Sequence, residues 1–163
     1  MKGPRRFRVL FLCTGNSARS QMAEALLNAK GKGRFQAESA GSQPAAHVNR
    51  YAIETLQAHD IPWAGHPPRS LAGLEREPWD CVITVCDRAK QSCPIFPGQP
   101  LLAHWGMSDP AEVVGDEARK RAAFRDAFLL LNRRIDLLPA LPLDKLERRA
   151  AQVEITDIGR PTP

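Results

Sequence analysis

The strongest constraint on this fold is an apolar run that ends at a cysteine and leads into a glycine-containing turn. Residues 9–12 (VLFL) are typical of a buried strand, and a helix is predicted over residues 17–30. A strand, a tight turn and a helix in this order bring backbone N–H groups and the positive end of a helix dipole together. The sequence therefore predicts an anion-binding loop at residues 13–20 (CTGNSARS).

This loop carries the side chains that a nucleophilic site needs. Cys13 begins it and Arg19 follows six positions later. The positive surroundings would lower the pKa of the Cys13 thiol, which predicts a thiolate at neutral pH. Arg19 would hold two oxygens of the anion with its planar guanidinium. No Gly-Lys-Ser/Thr follows, so this is not a nucleotide-binding loop. The predicted oxyanion-binding residues are Thr14, Gly15, Asn16, Ser17, Ala18, Arg19 and Ser20.

Apolar and helical segments alternate along the rest of the chain. Strands are predicted over residues 8–13, 35–40, 80–86 and 101–105, and helices over residues 17–30, 48–59, 117–138 and 143–155. The alternation predicts a single three-layer α/β domain, with a four-stranded parallel sheet in the order 2-1-3-4 and helices on both faces. Residues 1–140 would form the catalytic domain, and residues 141–163 a last helix and tail that cover the sheet edge.

Two of the predicted helices have a recognisable apolar face. In the 117–138 helix the stripe consists of Phe124, Phe128, Leu131, Ile135 and Leu138. In the last helix one side carries Leu143, Leu146, Ala150 and Val153, and a capping box is predicted at Asp144 and Glu147.

The composition indicates a cytoplasmic protein with an anionic substrate. The apolar run after the basic start is too short for a signal peptide, and no segment is long enough to span a membrane. Four cysteines without an export signal favour thiol chemistry in a reducing compartment. The net charge of +5 would attract anions. The pairs Arg133-Arg134 and Arg148-Arg149 lack interleaved aromatics, which indicates solvated helix faces and no nucleic-acid site.

A second pair of cysteines follows the third predicted strand. Cys86 ends that strand, and Cys93 lies on a polar, proline-flanked segment that predicts a mobile surface loop. Because the first and third strands are neighbours in the predicted order, Cys13 and Cys86 are expected at one crevice. The pair would serve as a thiol relay, in which Cys86 attacks a sulfur adduct on Cys13 and Cys93 then takes over the bond.

Other interpretations of these cysteines stay open at this point. A zinc site would need two further ligands, and only His104 lies nearby. A permanent disulfide is disfavoured in a reducing compartment, and two incidental thiols are the remaining alternative. Cys81, at the start of an apolar strand, is predicted to be an inert core residue.

Three segments resemble the low-molecular-weight tyrosine phosphatase fold and, within it, the arsenate reductases that are coupled to thioredoxin. They are CTGNSARSQMAE at residues 13–24, VITVCDRAKQSCPIFP at 82–97 and HWGMSDPA at 104–111, and ESAG at 38–41 also matches. The resemblance covers about residues 6–138. It implies that Cys13 is the nucleophile, that Asp109 protonates the departing oxygen, and that Cys86 and Cys93 are the relay cysteines. It also implies that Ser20 bonds the thiolate.

The chain departs from the family at a monovalent-cation site beside the loop. Asn16, Glu24 and Ser39 match that site, and the resemblance implies that Asn16 braces the loop. Pro67 and Arg69 stand where the family has threonine and aspartate ligands. We therefore expect no bound metal or other cofactor, with Arg69 supplying the positive charge itself.

The resemblance implies arsenate reduction, with electrons from thioredoxin and an arsenate or phosphate-like oxyanion as substrate. Glutaredoxin and glutathione are alternative electron donors. The rival function is that of a low-molecular-weight phosphatase, which would hydrolyse phosphomonoesters through a phosphocysteine at Cys13. The Cys86/Cys93 pair favours the reductase, as do Ala18 in place of a further cysteine and Ala111 in place of an aromatic residue.

A third function class is a non-catalytic thiol redox sensor. Such a protein would also use a mobile cysteine pair. It would leave the matches at Arg19 and Asp109 unexplained, so it ranks below the two enzymes.

Overall fold

The computed structural model describes residues 5–63, 66–91 and 93–160. The strands are β1 (Phe7–Cys13), β2 (Phe35–Gly41), β3 (Cys81–Thr84) and β4 (Leu101–His104). They are parallel and form one sheet in the order β2-β1-β3-β4, which confirms the predicted topology. Strand β1 pairs with β2 from Phe7 opposite Phe35 to Cys13 opposite Gly41.

Five α-helices are present among the described residues: α1 (Arg19–Lys30), α2 (Arg50–Ala58), α3 (Asp87–Gln91), α4 (Glu117–Leu137) and α5 (Arg148–Ile158). Helices α1, α2 and α4 pack on one another, α3 contacts β1 and β3, and α5 lies against β4. No helix in the described part of the chain combines the length and apolar character needed to cross a membrane.

The core lies on both faces of the sheet. All four residues of β3 and the last five residues of β1 are buried. Consecutive side chains of a strand point to opposite faces, so both faces must be covered. The predicted stripe of α4 is confirmed, because none of its members is more than 2% exposed: Phe124, Phe128, Leu131, Ile135 and Leu138.

The last helix differs from the prediction in both its start and its buried face. It begins at Arg148, because the N–H groups of Lys145 and Leu146 both bond to Pro142 O and close a turn before it. The predicted capping box is wrong, since Glu147 is the N-cap and makes no side-chain capping bond. The predicted apolar face is correct only in part. Leu143 and Leu146 pack against the core, whereas Ala150 is exposed and Val153 is 52% exposed. The buried residues of α5 are Ala151 and Ile155.

The segment after β3 is helical where the sequence predicted a loop. Helix α3 begins directly after Cys86, whose Sγ accepts a hydrogen bond from Ala89 N at 3.4 Å. Lys90 N bonds to Cys86 O at 3.2 Å. Cys86 thus caps a short helix, and the strand ends at Thr84, two residues before the predicted end.

Three arginines of the basic pairs are exposed, as the sequence indicated, namely Arg133, Arg148 and Arg149, whereas Arg134 is buried. Arg134 is only 5% exposed, because its guanidinium donates to Trp105 O at 3.0 Å. Arg148 donates to Gln99 O at 2.6 Å. Both side chains bind backbone carbonyls that are distant in sequence, which helical periodicity cannot reveal.

Candidate active site

The loop after β1 turns its carbonyl groups to one side and its N–H groups to the other. Four of its carbonyl oxygens accept backbone hydrogen bonds of 2.8–3.4 Å from the segment after β2, namely Cys13 O from Ser42, Thr14 O from Gln43, Gly15 O from Ala45 and Ser17 O from Asn49. A carbonyl and the next N–H point in opposite directions across a planar trans peptide. The N–H groups of residues 14, 15, 16 and 18 therefore point away from that segment and form a concave anion-binding surface.

Close backbone packing makes this loop geometry possible. A Cβ atom at Gly41 would collide with Thr14 O and lie 3.1 Å from Asn16 N, so only glycine fits there. Asn16 adopts a left-handed conformation, with φ of 52°. Its Nδ2 donates to Ser20 Oγ at 2.8 Å and to Ser39 Oγ at 2.9 Å. This side chain ties the loop to α1 and β2.

A cavity of about 370 Å³ opens over the loop and brings together residues from three segments of the chain. Its lining includes Cys13, Arg19, Cys86 and Asp109. The other lining residues are Thr14, Gly15, Ser17, Ala18, Asp87, Arg88, Met107 and Glu112.

Two residues of the predicted oxyanion-binding set do not line this cavity. Asn16 and Ser20 are fully buried, and Ser20 Oγ accepts its hydrogen bond from Asn16. Their side chains therefore support the loop and do not face a ligand.

Arg19 and Asp109 are held beside each other. Arg19 Nη1 donates to Met107 O at 2.9 Å, and its Nη2 lies 3.5 Å from Asp109 Oδ2. Arg19 Nε is buried without a hydrogen-bond partner in the described part of the chain. Asp109 Oδ1 accepts from Ala111 N at 2.9 Å, so the carboxylate also caps the short turn that follows it.

The thiols of Cys13 and Cys86 share one negative charge. Their mutual hydrogen bond, together with burial, raises the pKa of Cys13 above its ordinary value, although Arg19 opposes this. The same hydrogen bond lowers the pKa of Cys86 to about 5, helped by Thr14 Oγ1 at 3.4 Å and by Ala89 N–H. The sequence predicted a lowered pKa for Cys13, whereas the hydrogen bond with Cys86 raises it.

The other two cysteines lie outside the cavity. Cys93 is partly buried, which raises the pKa of its thiol, and it lines a separate cavity of about 340 Å³ together with Lys90 and His104. Cys81 is fully buried, and burial raises the pKa of its thiol, as expected of a core residue. All four cysteines are free thiols.

The site that resembles a monovalent-cation site does not fit a cation in this chain. Glu24 Oε2 lies 2.7 Å from His66 Nε2, and Ser39 Oγ donates to Glu24 Oε1 at 3.1 Å. Arg69 donates from its backbone N to Asn16 Oδ1 at 3.0 Å and from Nε to Ser39 O at 2.9 Å. Oxygens that would ligate a cation already accept hydrogen bonds. Burial raises the pKa of the Glu24 carboxyl, an effect that His66 opposes.

Sequence reasoning missed the role of His66 in this cluster. It lies 42 residues from Glu24, and no local pattern connects them. Sequence reasoning also missed the hydrogen bond of 2.9 Å between His104 Nε2 and Asp87 Oδ1, which links β4 to the start of α3.

The fold and this loop have clear counterparts among known proteins. The sequence model of the low molecular weight phosphotyrosine protein phosphatase family matches residues 8–140. The chain belongs to this family. An arsenate reductase of Halalkalibacterium halodurans is 35% identical over 118 residues, which cover 72% of this chain and 84% of that protein.

Solved structures within the family include further arsenate reductases. The one from Archaeoglobus fulgidus has a TM-score of 0.61 at 31% identity, over 78% of this chain and 98% of that one. A thioredoxin-dependent arsenate reductase of Corynebacterium glutamicum has a TM-score of 0.64 at 25% identity, over 86% of this chain and 64% of that one. The resemblance to arsenate reductases with the phosphatase fold is thus confirmed.

Proposed function

We propose that this protein reduces arsenate to arsenite, with Cys13 as the nucleophile. The observation that carries the proposal is that Cys13 and Cys86 line the same cavity and are hydrogen-bonded to each other. Hydrolysis of a phosphate ester needs Cys13, Arg19 and Asp109, but it does not need a second thiolate. Reduction of arsenate does need a second thiolate, because the two electrons must come from a pair of sulfur atoms.

The loop and Arg19 would bind the arsenate dianion. The inward N–H groups and the positive end of α1 attract the negative oxygens. Arg19 Nε, buried without a partner among the described residues, supplies a further donor beside them. The loop is held from behind by its carbonyl hydrogen bonds, so these donors are in place before the anion arrives.

The first chemical step is attack of Cys13 Sγ on arsenic. The thiol proton of Cys13 passes to the Cys86 thiolate, and Asp109 donates a proton to the departing oxygen, which leaves as water. A sulfur–arsenic bond forms and an arsenic–oxygen bond breaks, so arsenic is still pentavalent at this stage.

The second step transfers two electrons to arsenic. After losing its proton to solvent, Cys86 attacks Cys13 Sγ, and the sulfur–arsenic bond breaks with its electron pair remaining on arsenic. Arsenite leaves, and the two thiols are oxidised to a Cys13–Cys86 disulfide. Cys93 then attacks Cys86, which restores the Cys13 thiolate and moves the disulfide to Cys86 and Cys93.

Helix α3 must open for this last exchange. Cys86 and Cys93 flank it, and seven residues of continuous helix would separate their Cα atoms by about 10 Å. A disulfide needs Cα atoms about 4.4–6.8 Å apart. With only five helical residues, α3 has few hydrogen bonds to lose.

The disulfide would then be reduced by an external dithiol, which we propose is cytoplasmic thioredoxin. Partial exposure of Cys93 supports this, and the C. glutamicum relative is thioredoxin-dependent. We propose that no metal or other cofactor takes part, since hydrogen-bond donors already occupy the oxygens of the cation-like site.

The decisive experiment measures arsenite formation with thioredoxin, thioredoxin reductase and NADPH. Cys86→Ala and Cys93→Ala should abolish multiple turnover, whereas Cys81→Ala, the matched control in the core, should retain it. Glutaredoxin with glutathione is tested in parallel as the alternative donor. Turnover by Cys86→Ala at the wild-type rate would refute the relay.

A second activity, hydrolysis of phosphomonoesters, is favoured by the family match and by the shared set Cys13, Arg19 and Asp109. Replacement of Cys86 removes the neighbouring thiolate, so Cys13 can ionise with the help of Arg19. Any phosphatase activity should therefore survive in Cys86→Ala. A chromogenic phosphate ester measures this, with Cys13→Ser as the inactive control.

A further inference from the structure

The segment between β4 and Asp109 is held by two arginines through three successive carbonyl groups. Arg134 Nη1 donates to Trp105 O at 3.0 Å and to Gly106 O at 3.2 Å. Arg19 Nη1 donates to the next carbonyl, Met107 O, at 2.9 Å. Asp109 lies two residues further along, so the position of its carboxylate depends on this backbone.

Arg134 also reaches the C-terminal helix. Its Nη2 donates to Gly159 O at 3.3 Å, at the C-cap of α5. No carboxylate pairs with Arg134 in the described part of the chain, and burial lowers the pKa of its guanidinium. Burying a charge among carbonyl groups alone is costly. The role of such an arginine is to fix the positions of backbone segments, because its planar guanidinium binds several carbonyl oxygens at once.

Helix α5 is seated on the same segment by direct contacts. Trp105 is fully buried, and its Nε1 donates to Ile155 O at 2.9 Å. A Cβ atom at Gly159 would collide with the Trp105 ring and with His104 O. The Gln152 side-chain amide bonds to both the N–H and the carbonyl of Leu102, so α5 also takes the place of a neighbouring strand at the edge of β4.

We propose that Arg134 is a positioning residue for Asp109, and that α5 completes the framework of the active site. This inference rests on the proposed role of Asp109 as proton donor. Helix α5 lies beyond the 8–140 family match. The N–H groups of the loop after β1 should not depend on this anchor, because that loop is held by residues 42–49.

The first test measures amide hydrogen exchange in residues 105–109. Arg134→Met and Gly159→Ala should both accelerate exchange there, by about tenfold, because each releases the carbonyl or helix contacts of that segment. Exchange in residues 13–20 should stay unchanged. Gly98→Ala is the matched control, since a Cβ atom there meets nothing within 4 Å. Unchanged exchange in residues 105–109 would overturn the inference, whatever reaction the protein catalyses.

The second test is a double-mutant cycle on a single turnover. Wild-type, Arg134→Met, Asp109→Asn and doubly substituted proteins are mixed with arsenate without reductant, and the formation of one disulfide per molecule, Cys13–Cys86 or Cys86–Cys93, is followed by mass spectrometry. Arg134→Met should slow the wild-type reaction about tenfold, a part of what a general acid supplies. It should have less than about a twofold effect when Asp109 is already Asn. Affinity for inorganic phosphate should stay within about twofold of wild type.

The outcomes separate this inference from the proposed function. An equal loss in both backgrounds would show that Arg134 does not act through Asp109, and the inference would fail while arsenate reduction stands. If the wild-type protein forms no arsenite, the proposed function fails, and hydrogen exchange decides the inference alone. Gly159→Ala, which leaves Arg134 intact, provides the same test if Arg134→Met does not fold.

Discussion

Replacing Thr14 by valine should weaken the ionisation of Cys86 without altering the shape of the loop. The Thr14 hydroxyl lies 3.4 Å from Cys86 Sγ and donates to it when the thiol is ionised. Valine has nearly the same shape as threonine but no donor. The Cys86 thiolate would then keep its bonds from Cys13 and Ala89 and lose the one from Thr14.

The expected size of this effect follows from the energy of a hydrogen bond to a charged group. Such bonds contribute about 1.5–3 kcal/mol, and we take the lower end because this bond is long and its acceptor is sulfur. About 1.4 kcal/mol corresponds to one pKa unit. The pKa of Cys86, about 5 in the wild-type protein, should therefore rise to about 6 in Thr14→Val.

The assay is the pH dependence of Cys86 alkylation by iodoacetamide, with the modified residue assigned by tandem mass spectrometry. The rate follows the thiolate fraction, which at pH 5.5 should fall from about 76% to about 24%. Near pH 7.5 the two proteins should differ little, because Cys86 is ionised in both. Because the substitution raises the pKa of Cys86, the alkylation rate should fall only at acidic pH.

Thr14→Ser is the matched control, because it keeps the hydroxyl and should retain the wild-type profile. If the Thr14→Val profile coincides with that of the wild-type protein, the hydroxyl does not stabilise the thiolate and the reasoning is refuted.

Three further predictions test the remaining parts of the site. Asp109→Asn should lower the single-turnover rate by about 10²–10⁴-fold while phosphate affinity, measured by calorimetry, persists; an unchanged rate removes Asp109 from the reaction. Cys93→Ala should complete one turnover and accumulate a Cys13–Cys86 disulfide, detectable by peptide mapping, and sustained cycling with thioredoxin would contradict this. Potassium chloride, compared with choline chloride at equal ionic strength, should leave the wild-type Tm unchanged, whereas Arg69→Asp should gain a potassium-dependent rise; a rise in the wild-type protein would show that a cation binds.

Features that depend on local periodicity and chain order were predictable from the sequence. The strand–turn–helix at Cys13, the sheet order and the stripe of α4 follow from repeating patterns and from the rules of parallel sheets. The same rules place Cys13 and Cys86 at one crevice, because neighbouring parallel strands end at the same edge. Residues 73 positions apart in the chain could therefore be assigned to one site.

Only the tertiary structure decided how Cys13 and Cys86 affect each other's ionisation and which contacts hold Arg134. Which of two adjacent thiols is ionised depends on their mutual hydrogen bond and on Thr14 and Ala89, and no sequence pattern encodes that geometry. The burial of Arg134 depends on carbonyl groups 25–29 residues away. Contacts of this kind arise when separate elements pack, so the amino-acid order determined where the site lies and the packing determined how its groups are held.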